Sequence, residues 1–286
     1  MVHMKWCEKL PQDSRGKTKR RKPKFLFLLL CWLLLPLWSA QAQELLESQG
    51  IKFHRIPGGG YLVGSPPNEA GRYADEASPH KVYLTPFDIA VTETTNAQYA
   101  RFLKATGHPA PLYWKDKNLN APGQPVVGVT WDDATAFCQW LSQVTGVEHR
   151  LPTEAQWEAA ARAGLTGQLY PWGSESPDAG GVYRANYRPN DFADDGFAFS
   201  APVGSFPPNG YGLFDMAGNV SEWCQDRYVP LRSGGPFKPG VLRLLKGGSW
   251  ASRARDLRAA ARQSAPPGYA DGYIGFRVVR LTTSAK

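Results

Sequence analysis

Tyr211-Gly-Leu-Phe-Asp-Met-Ala-Gly-Asn-Val-Ser-Glu-Trp223 is followed downstream by Lys246-Gly-Gly-Ser-Trp250 and by Gly275-Phe-Arg277. Glycine, asparagine and aspartate at this density favour turns over long helices or strands. Irregular loops rich in carboxylate, amide and carbonyl oxygen are also what Ca²⁺ takes as ligands. Two segments offer such oxygens: Asp215 to Glu222, and Asn186-Tyr187 together with Asp194-Asp-Gly-Phe197. Neither has the spacing of an EF-hand loop, so the composition alone leaves calcium and ordinary turn chemistry both open.

The N-terminus reads differently. Residues 1–24 hold nine Lys or Arg against Glu8 and Asp13, a net +7. An apolar run from Phe25 to Trp38 follows, then Ser39-Ala-Gln-Ala42. A basic region, a short apolar region and an Ala-x-Ala site predict a secretory signal over 1–42, cleaved after Ala42. The apolar run is short for the ~30 Å of a bilayer core and contains Pro36, so no stable membrane anchor is expected after cleavage. Arg20-Arg21 is a weak twin-arginine feature, and Cys31 lacks the small residues that precede a lipoprotein cysteine. The expected location is outside the cytoplasm, in the periplasm.

Removing this segment changes the meaning of the charge. The chain carries +8, of which +7 lies in the first 24 residues, so the mature chain is near neutral. A nucleic-acid partner loses its electrostatic basis. With 29 Gly and 24 Pro, the remaining ~244 residues suit one large, loop-rich domain. Cys138 and Cys224 survive processing, and sequence leaves open whether they pair or are buried singly.

Periodicity places the regular elements. Phe53 to Gly64 reads as a hairpin with a glycine turn, and His80 to Ile89 alternates like one strand. Thr95 to Thr106 reads as a helix with Tyr99, Phe102 and Leu103 on one face. Thr130 is the expected N-cap of a second helix with Ala134, Phe137, Cys138 and Leu141 inward. Thr153-Glu-Ala-Gln156 is a capping-box pattern that opens a third. From Leu169 onward, short strands and long loops dominate.

Several segments together resemble the formylglycine-generating enzyme (sulfatase-modifying factor) family. They are Ile56-Pro-Gly-Gly-Gly-Tyr-Leu-Val-Gly-Ser65, Glu93-Thr-Thr-Asn-Ala-Gln-Tyr99, Val129-Thr-Trp-Asp-Asp-Ala134 and Arg150-Leu-Pro-Thr-Glu-Ala-Gln-Trp-Glu158. Tyr170-Pro-Trp-Gly173, Pro202 to Asn209 and the three opening segments complete the series. The resemblance implies a single α+β domain of a C-type-lectin-like kind with little regular structure. It spans 53–282, after an extension over 43–52 and before a tail over 283–286. It also implies two structural calcium ions. One is held by the side chains of Asn186 and Asp195 with the carbonyls of Tyr187 and Phe197. The other is held by the side chains of Asp215 and Glu222 with the carbonyls of Gly218 and Val220.

The catalytic part of the pattern departs. The family's aerobic oxidase uses two cysteine thiolates after the Gly-Gly-Ser motif, where soft sulfur suits Cu(I). Here residues 247–262 contain no cysteine; Ser252 stands at the first position and Ala254 near the second. Ser221 also replaces a tryptophan frequent in relatives. A hydroxyl does not replace a copper-binding thiolate, so copper-dependent formylglycine formation is not expected. The iron-dependent sulfoxide-synthase branch is also disfavoured, because His54, His80, His108 and His149 are scattered and no helical His-rich domain accompanies them.

What remains after Gly247-Gly-Ser249 is Arg253, Arg255, Arg258 and Arg262 around Asp256. These are either structural ion pairs or a pocket for an anionic or catecholic small molecule or peptide, with guanidinium donors and Asp256 as general base. In the second reading Ser249, Ser252, Arg253 and Asp256 are the candidate catalytic residues. Two functions follow. One is an oxidase-like maturation factor for a secreted small molecule such as a siderophore chromophore, as in the cysteine-free branch that includes a pyoverdine-chromophore maturation protein. The other is a non-catalytic, calcium-stabilised binding or accessory protein.

Overall fold

A computed structural model describes residues 49–188, 195–229 and 242–281. The expected signal over 1–42, the Asp194 position and the 283–286 tail lie outside the described residues. The compact unit to which the described residues belong runs from Leu45 to Lys286.

Three α-helices among the described residues form where capping chemistry predicts them. Helix α1 is Asn96–Thr106, α2 is Trp131–Thr145 and α3 is Glu154–Arg162. Each opens on a threonine, Thr95, Thr130 or Thr153, whose hydroxyl accepts from the backbone N–H three residues on. In each, the side chain at that third position reaches back to the threonine N–H. These reciprocal bonds satisfy donors that a helix start leaves unpaired.

Among the described residues, ten short strands make three sheets. Strands β1 (Phe53–Ile56), β4 (Phe87–Ala90), β10 (Val279–Leu281) and β5 (His149–Arg150) lie in the order β1-β4-β10-β5. Strands β2 (Gly59–Val63) and β3 (His80–Leu84) form a separate ribbon. Strands β8 (Gln263–Ala265), β7 (Arg243–Lys246), β6 (Ser221–Arg227) and β9 (Ile274–Gly275) form the third, with β9 parallel to β6. The architecture is α+β with long connections, as the sequence implied.

The Phe53 to Gly64 hairpin is corrected. Strand β1 pairs with β4, and β2 pairs with β3, so the two strands do not pair with each other. A two-residue hairpin loop needs positive φ at its first central residue, which Pro57 cannot adopt. The His80 to Ile89 strand is likewise split at Thr85-Pro86. Ile56 faces Phe87 and Gly59 faces Leu84, so a single register runs through both pairs. They are one long ribbon, interrupted where Pro57 and Pro86 withdraw N–H donors. Gly58 permits the close approach: a Cβ there would lie 2.8 Å from Pro86 Cδ.

Aromatic packing fixes the helices. Tyr99 and Phe102 of α1 meet Phe137 and Trp140 of α2, with Tyr99 stacked on Phe137 at 5.6 Å, in a cluster that includes Trp223 and Phe276. A second cluster joins Ile56, Phe87, Ile89 and Val279 to Trp157 and Ala160 of α3. Cys138 lies in the first cluster and Cys224 in the second, both free and buried.

Between these clusters sits a buried ion pair. Arg277 is fully buried, and its Nε and Nη2 donate to Glu222, itself fully buried, over 2.7–2.9 Å. The remaining guanidinium N–H groups reach the carbonyls of Ala90 and Val91 and of Phe214 and Asp215. Trp157 Nε1 also donates to Glu222, at 2.8 Å to Oε2, an oxygen that accepts from Arg277 Nε. One arginine thus joins β4, the 214–215 loop and β6, while Glu222 adds α3.

Two consequences are measurable. Removing one partner of a buried pair leaves an uncompensated charge, so Arg277→Met is expected to cost about 3–5 kcal/mol in urea unfolding. A loss under ~1 kcal/mol would show that the network does not hold the fold. The second concerns His149. Burial lowers its pKa to about 4, against the Nδ1 bond to the Val147 carbonyl, which raises it. The unfolded chain takes up the proton first, near pH 6.5. The stability contributed by neutral His149 is therefore complete above about pH 6.5 and is lost as pH falls towards 4. Unfolding of the native protein between pH 7 and 4.5 should show a steeper loss than His149→Gln; equal slopes would assign the effect elsewhere.

Candidate functional site

The opening stretch builds a buried polar centre. Asp215 and Asn219 both adopt positive φ, 54° and 57°, a conformation that short polar side chains tolerate. Asp215 Oδ2 accepts from Gly204 N at 2.6 Å. Asn219 Oδ1 accepts from Ala201 N, and its Nδ2 donates to Glu93 Oε1 at 3.1 Å. Glu93 is fully buried, and its Oε2 has no partner among the described residues. Burial, then the neighbouring Asp215, pushes the Glu93 pKa well up; burial also raises Asp215. Arg277 would be lowered by burial, but Glu222 against it raises it, so its charge is fixed. Sequence reading placed Glu93 and Arg277 in motifs without seeing that they share one centre with Asp215 and Glu222.

The two implied calcium sets differ in fit. In the first, Asn186 is buried and its Oδ1 has no partner, while its Nδ2 donates to Phe199 O at 2.9 Å. Asp195 accepts from Tyr187 N at 2.8 Å and from Phe197 N at 3.0 Å. Asp195 thus ties Tyr187 to Phe197, and the adjacent Asn186 has an amide oxygen without a partner among the described residues, a ligand type that a calcium ion takes. In the second set both carboxylates already have partners: Glu222 has Arg277 and Trp157, and Asp215 has Gly204 N. Gly218 N bonds to Gly247 O and Val220 is fully buried, so this junction is closely packed. Elsewhere among the described residues, no three His, Cys, Asp or Glu side chains are grouped to hold a metal.

The Ser249 to Asp256 segment folds as a tight turn followed by one turn of 3₁₀ helix over Ala254–Leu257. Ser249 is buried; its N–H donates to Ser252 Oγ at 3.0 Å, and the two hydroxyls lie 3.2 Å apart. Arg188 N donates to Ser252 O, and Trp250 Nε1 donates to Gly272 O. Asp256 accepts from Tyr73 OH at 2.6 Å and from Arg253 N at 3.3 Å. Burial, then this bond to Asp256, raises the Tyr73 pKa to about 12. Arg253 is exposed.

The other arginines have structural partners. Arg258 is buried and ion-paired with Glu69 and Glu76. Arg262 pairs with Glu154 and donates to Asp75 O. Arg255 donates to the carbonyls of Gly71 and Arg72 and lies 3.7 Å over the Tyr73 ring. Together they fasten the 65–77 loop, a role invisible in sequence because the partners lie some 180 residues away.

Three cavities lie elsewhere. One of about 260 Å³ opens beside Glu158 and Asp226, and one of about 180 Å³ beside Arg150. A smaller one, about 110 Å³, lies between Trp172, Pro207 and Met216. None of these three is lined by Ser252, Arg253 or Asp256. No helix among the described residues is long and apolar enough to cross a membrane.

Comparison with known proteins accords with this arrangement. Residues 41–282 match the sulfatase-modifying factor enzyme 1-like domain. The formylglycine-generating enzyme of Streptomyces coelicolor is 37% identical over 281 residues, covering 78% of this chain and 87% of that protein. The inactive C-alpha-formylglycine-generating enzyme 2 of Mus musculus is 31% identical, covering 87% of this chain and 91% of that protein. The structure of PvdO from Pseudomonas aeruginosa superposes with a TM-score of 0.69 at 32% identity, covering 80% of this chain and 93% of that one. With its motifs in order along one α+β domain and no cysteine between Gly247 and Arg262, the chain belongs to the sulfatase-modifying factor family.

Proposed function

We propose that this protein is an exported, cysteine-free maturation factor acting on a secreted small molecule, such as a siderophore chromophore, by an oxidase-like reaction. The observation that supports this reading best is the Ser249 to Asp256 turn. It stands where the resemblance places the catalytic segment, and hydroxyls replace the thiols. The likeness to PvdO supports the same branch. In such a step two electrons and two protons leave the substrate and pass to dioxygen. Asp256, bridged to Tyr73, is the base that takes a substrate proton, and exposed Arg253 attracts an anionic or catecholic substrate. The basic and apolar N-terminus supports export to the periplasm.

One observation favours a second reading, a non-catalytic binding or accessory protein. Arg255, Arg258 and Arg262 hold the 65–77 loop, whereas exposed Arg253 has no side-chain hydrogen bond or ion pair among the described residues. Incubating the mature protein with catechol-bearing substrates and O₂ separates the two. Turnover that falls at least tenfold in both Asp256→Ala and Arg253→Ala supports the enzyme. Saturable binding without product supports the accessory role.

Calcium at the first set is part of the proposal. Asn186 Oδ1, the Asp195 carboxylate and the carbonyls of Tyr187 and Phe197 are the ligands, and the ion's role is to fix the loop. Calcium at 100 times its Kd should stabilise the protein by about 2.7 kcal/mol. Asp195→Ala is expected to abolish that shift. A calcium response unchanged in this variant would place the ion elsewhere.

A further inference from the structure

We propose that the cavity between α2, β5 and β6 binds a small carboxylate. This cavity, about 180 Å³, shares no lining residue with the Ser249 to Asp256 segment or with either calcium set.

Its central group is Arg150, half-buried on β5 at the edge of its sheet. Arg150 Nη1 donates to Leu151 O and to Gln225 Oε1, both at 2.9 Å. Both partners are neutral, and among the described residues Arg150 has no ion pair. A guanidinium has five N–H donors, so Nε and Nη2 remain available. Burial lowers the Arg150 pKa, and the charges of Glu148 and Asp226 offset this only in part. A second donor lies on the same wall: Thr135 Oγ1 is buried without a partner. A second cation borders it. Arg243 lies 3.6 Å over the Trp131 ring and donates to Gln225 O at 2.9 Å. Burial, then the nearby Arg227, lowers its pKa too.

The remaining groups do not cancel these donors. Cys138 stays a thiol, because burial pushes its pKa up. His149 is neutral above about pH 4. Glu148 is an exposed carboxylate on the lining; its charge acts on Arg150, but no ion pair or hydrogen bond joins the two among the described residues, so the guanidinium donors stay open. Asp226 accepts from Glu154 N at 2.7 Å, and Asp132 is exposed. The cavity thus presents a guanidinium whose Nε and Nη2 have no hydrogen-bond partner among the described residues, and a hydroxyl in the same state. That geometry matches a carboxylate, which takes two parallel N–H bonds from arginine. The volume is below the ~300–1,000 Å³ of drug-sized sites, so a short-chain acid or the C-terminal carboxylate of a peptide fits.

Calorimetric titration of the mature protein with propionate, propionamide and acetyl-glycylglycine tests this. Saturable propionate binding is expected, with propionamide more than tenfold weaker. Arg150→Met should abolish propionate binding, and Thr135→Val, a nearly isosteric change, should weaken it several-fold. Binding of the peptide acid alongside propionate assigns the site to peptide C-termini; propionate alone assigns it to free acids. Equal binding of propionate and propionamide, or no saturable propionate binding, overturns the proposal. So does a Thr135→Val variant that binds as tightly as the native protein. The amide control and Thr135→Val keep the test decisive if Arg150→Met does not fold.

Discussion

The buried guanidinium of Arg277 is the interaction on which the rest of the structure depends. It is surrounded by Glu222, Asp215 and Glu93, three carboxyl groups with little or no contact with water. Three ionised acids around one cation would leave a negative surplus in a medium that stabilises it poorly. The surplus is relieved by holding Glu93 and Asp215 towards their neutral forms, as their raised pKa values indicate. Glu222 keeps the bidentate partner and so fixes where β6 sits against Ala90, Phe214 and Trp157. The price is intolerance: the same contacts that lock the centre would become unpaired buried charge if either partner were lost.

Around this centre the loops are fastened by amide side chains. Gln124 Nε2 donates to Asn118 O and Ser200 O, and its Oε1 accepts from Ala121 N. Asn96 Nδ2 reaches the carbonyls of Leu119 and Ala121. Asn209 Nδ2 takes the carbonyls of Ala160 and Ala161 near the end of α3, and its Oδ1 takes Tyr211 N and Leu213 N. Each amide joins two backbone segments that no ladder connects, and buried polar backbone needs such partners. A loop-rich domain can therefore do without a disulfide, and Cys138 and Cys224 pack as small apolar groups in separate clusters.

How much of this was legible follows from the range of each interaction. The helices were readable because a capping box is a four-residue pattern, and Thr95, Thr130 and Thr153 each carry it. The Phe53 to Gly64 hairpin was misread although the decisive residue was in view: Pro57 cannot supply the turn geometry. The Gly58-to-Pro86 contact that shapes the ribbon was out of reach of local patterns. The arginine run was legible as charge and not as structure, because Glu69, Glu76 and Tyr73 lie far upstream. The Asn186 to Phe197 set was legible only through family resemblance, since its spacing is no general calcium signature.

The Ser249 to Asp256 turn shows what survives when a site changes chemistry. A thiolate pair contributes metal binding, whereas the serines here contribute hydrogen bonds to each other and to the backbone, which hold the turn closed. Around them, Arg255, Arg258 and Arg262 anchor a loop, and Asp256 is tied through Tyr73 to that same loop. A substrate reaching Arg253 and Asp256 therefore meets a surface made rigid by contacts on its far side. A hydroxyl pair, one guanidinium and a phenol-bridged carboxylate can orient an anion and move a proton. The proposed oxidation therefore calls for a substrate that gives its electrons readily once deprotonated, which is the property of a catechol.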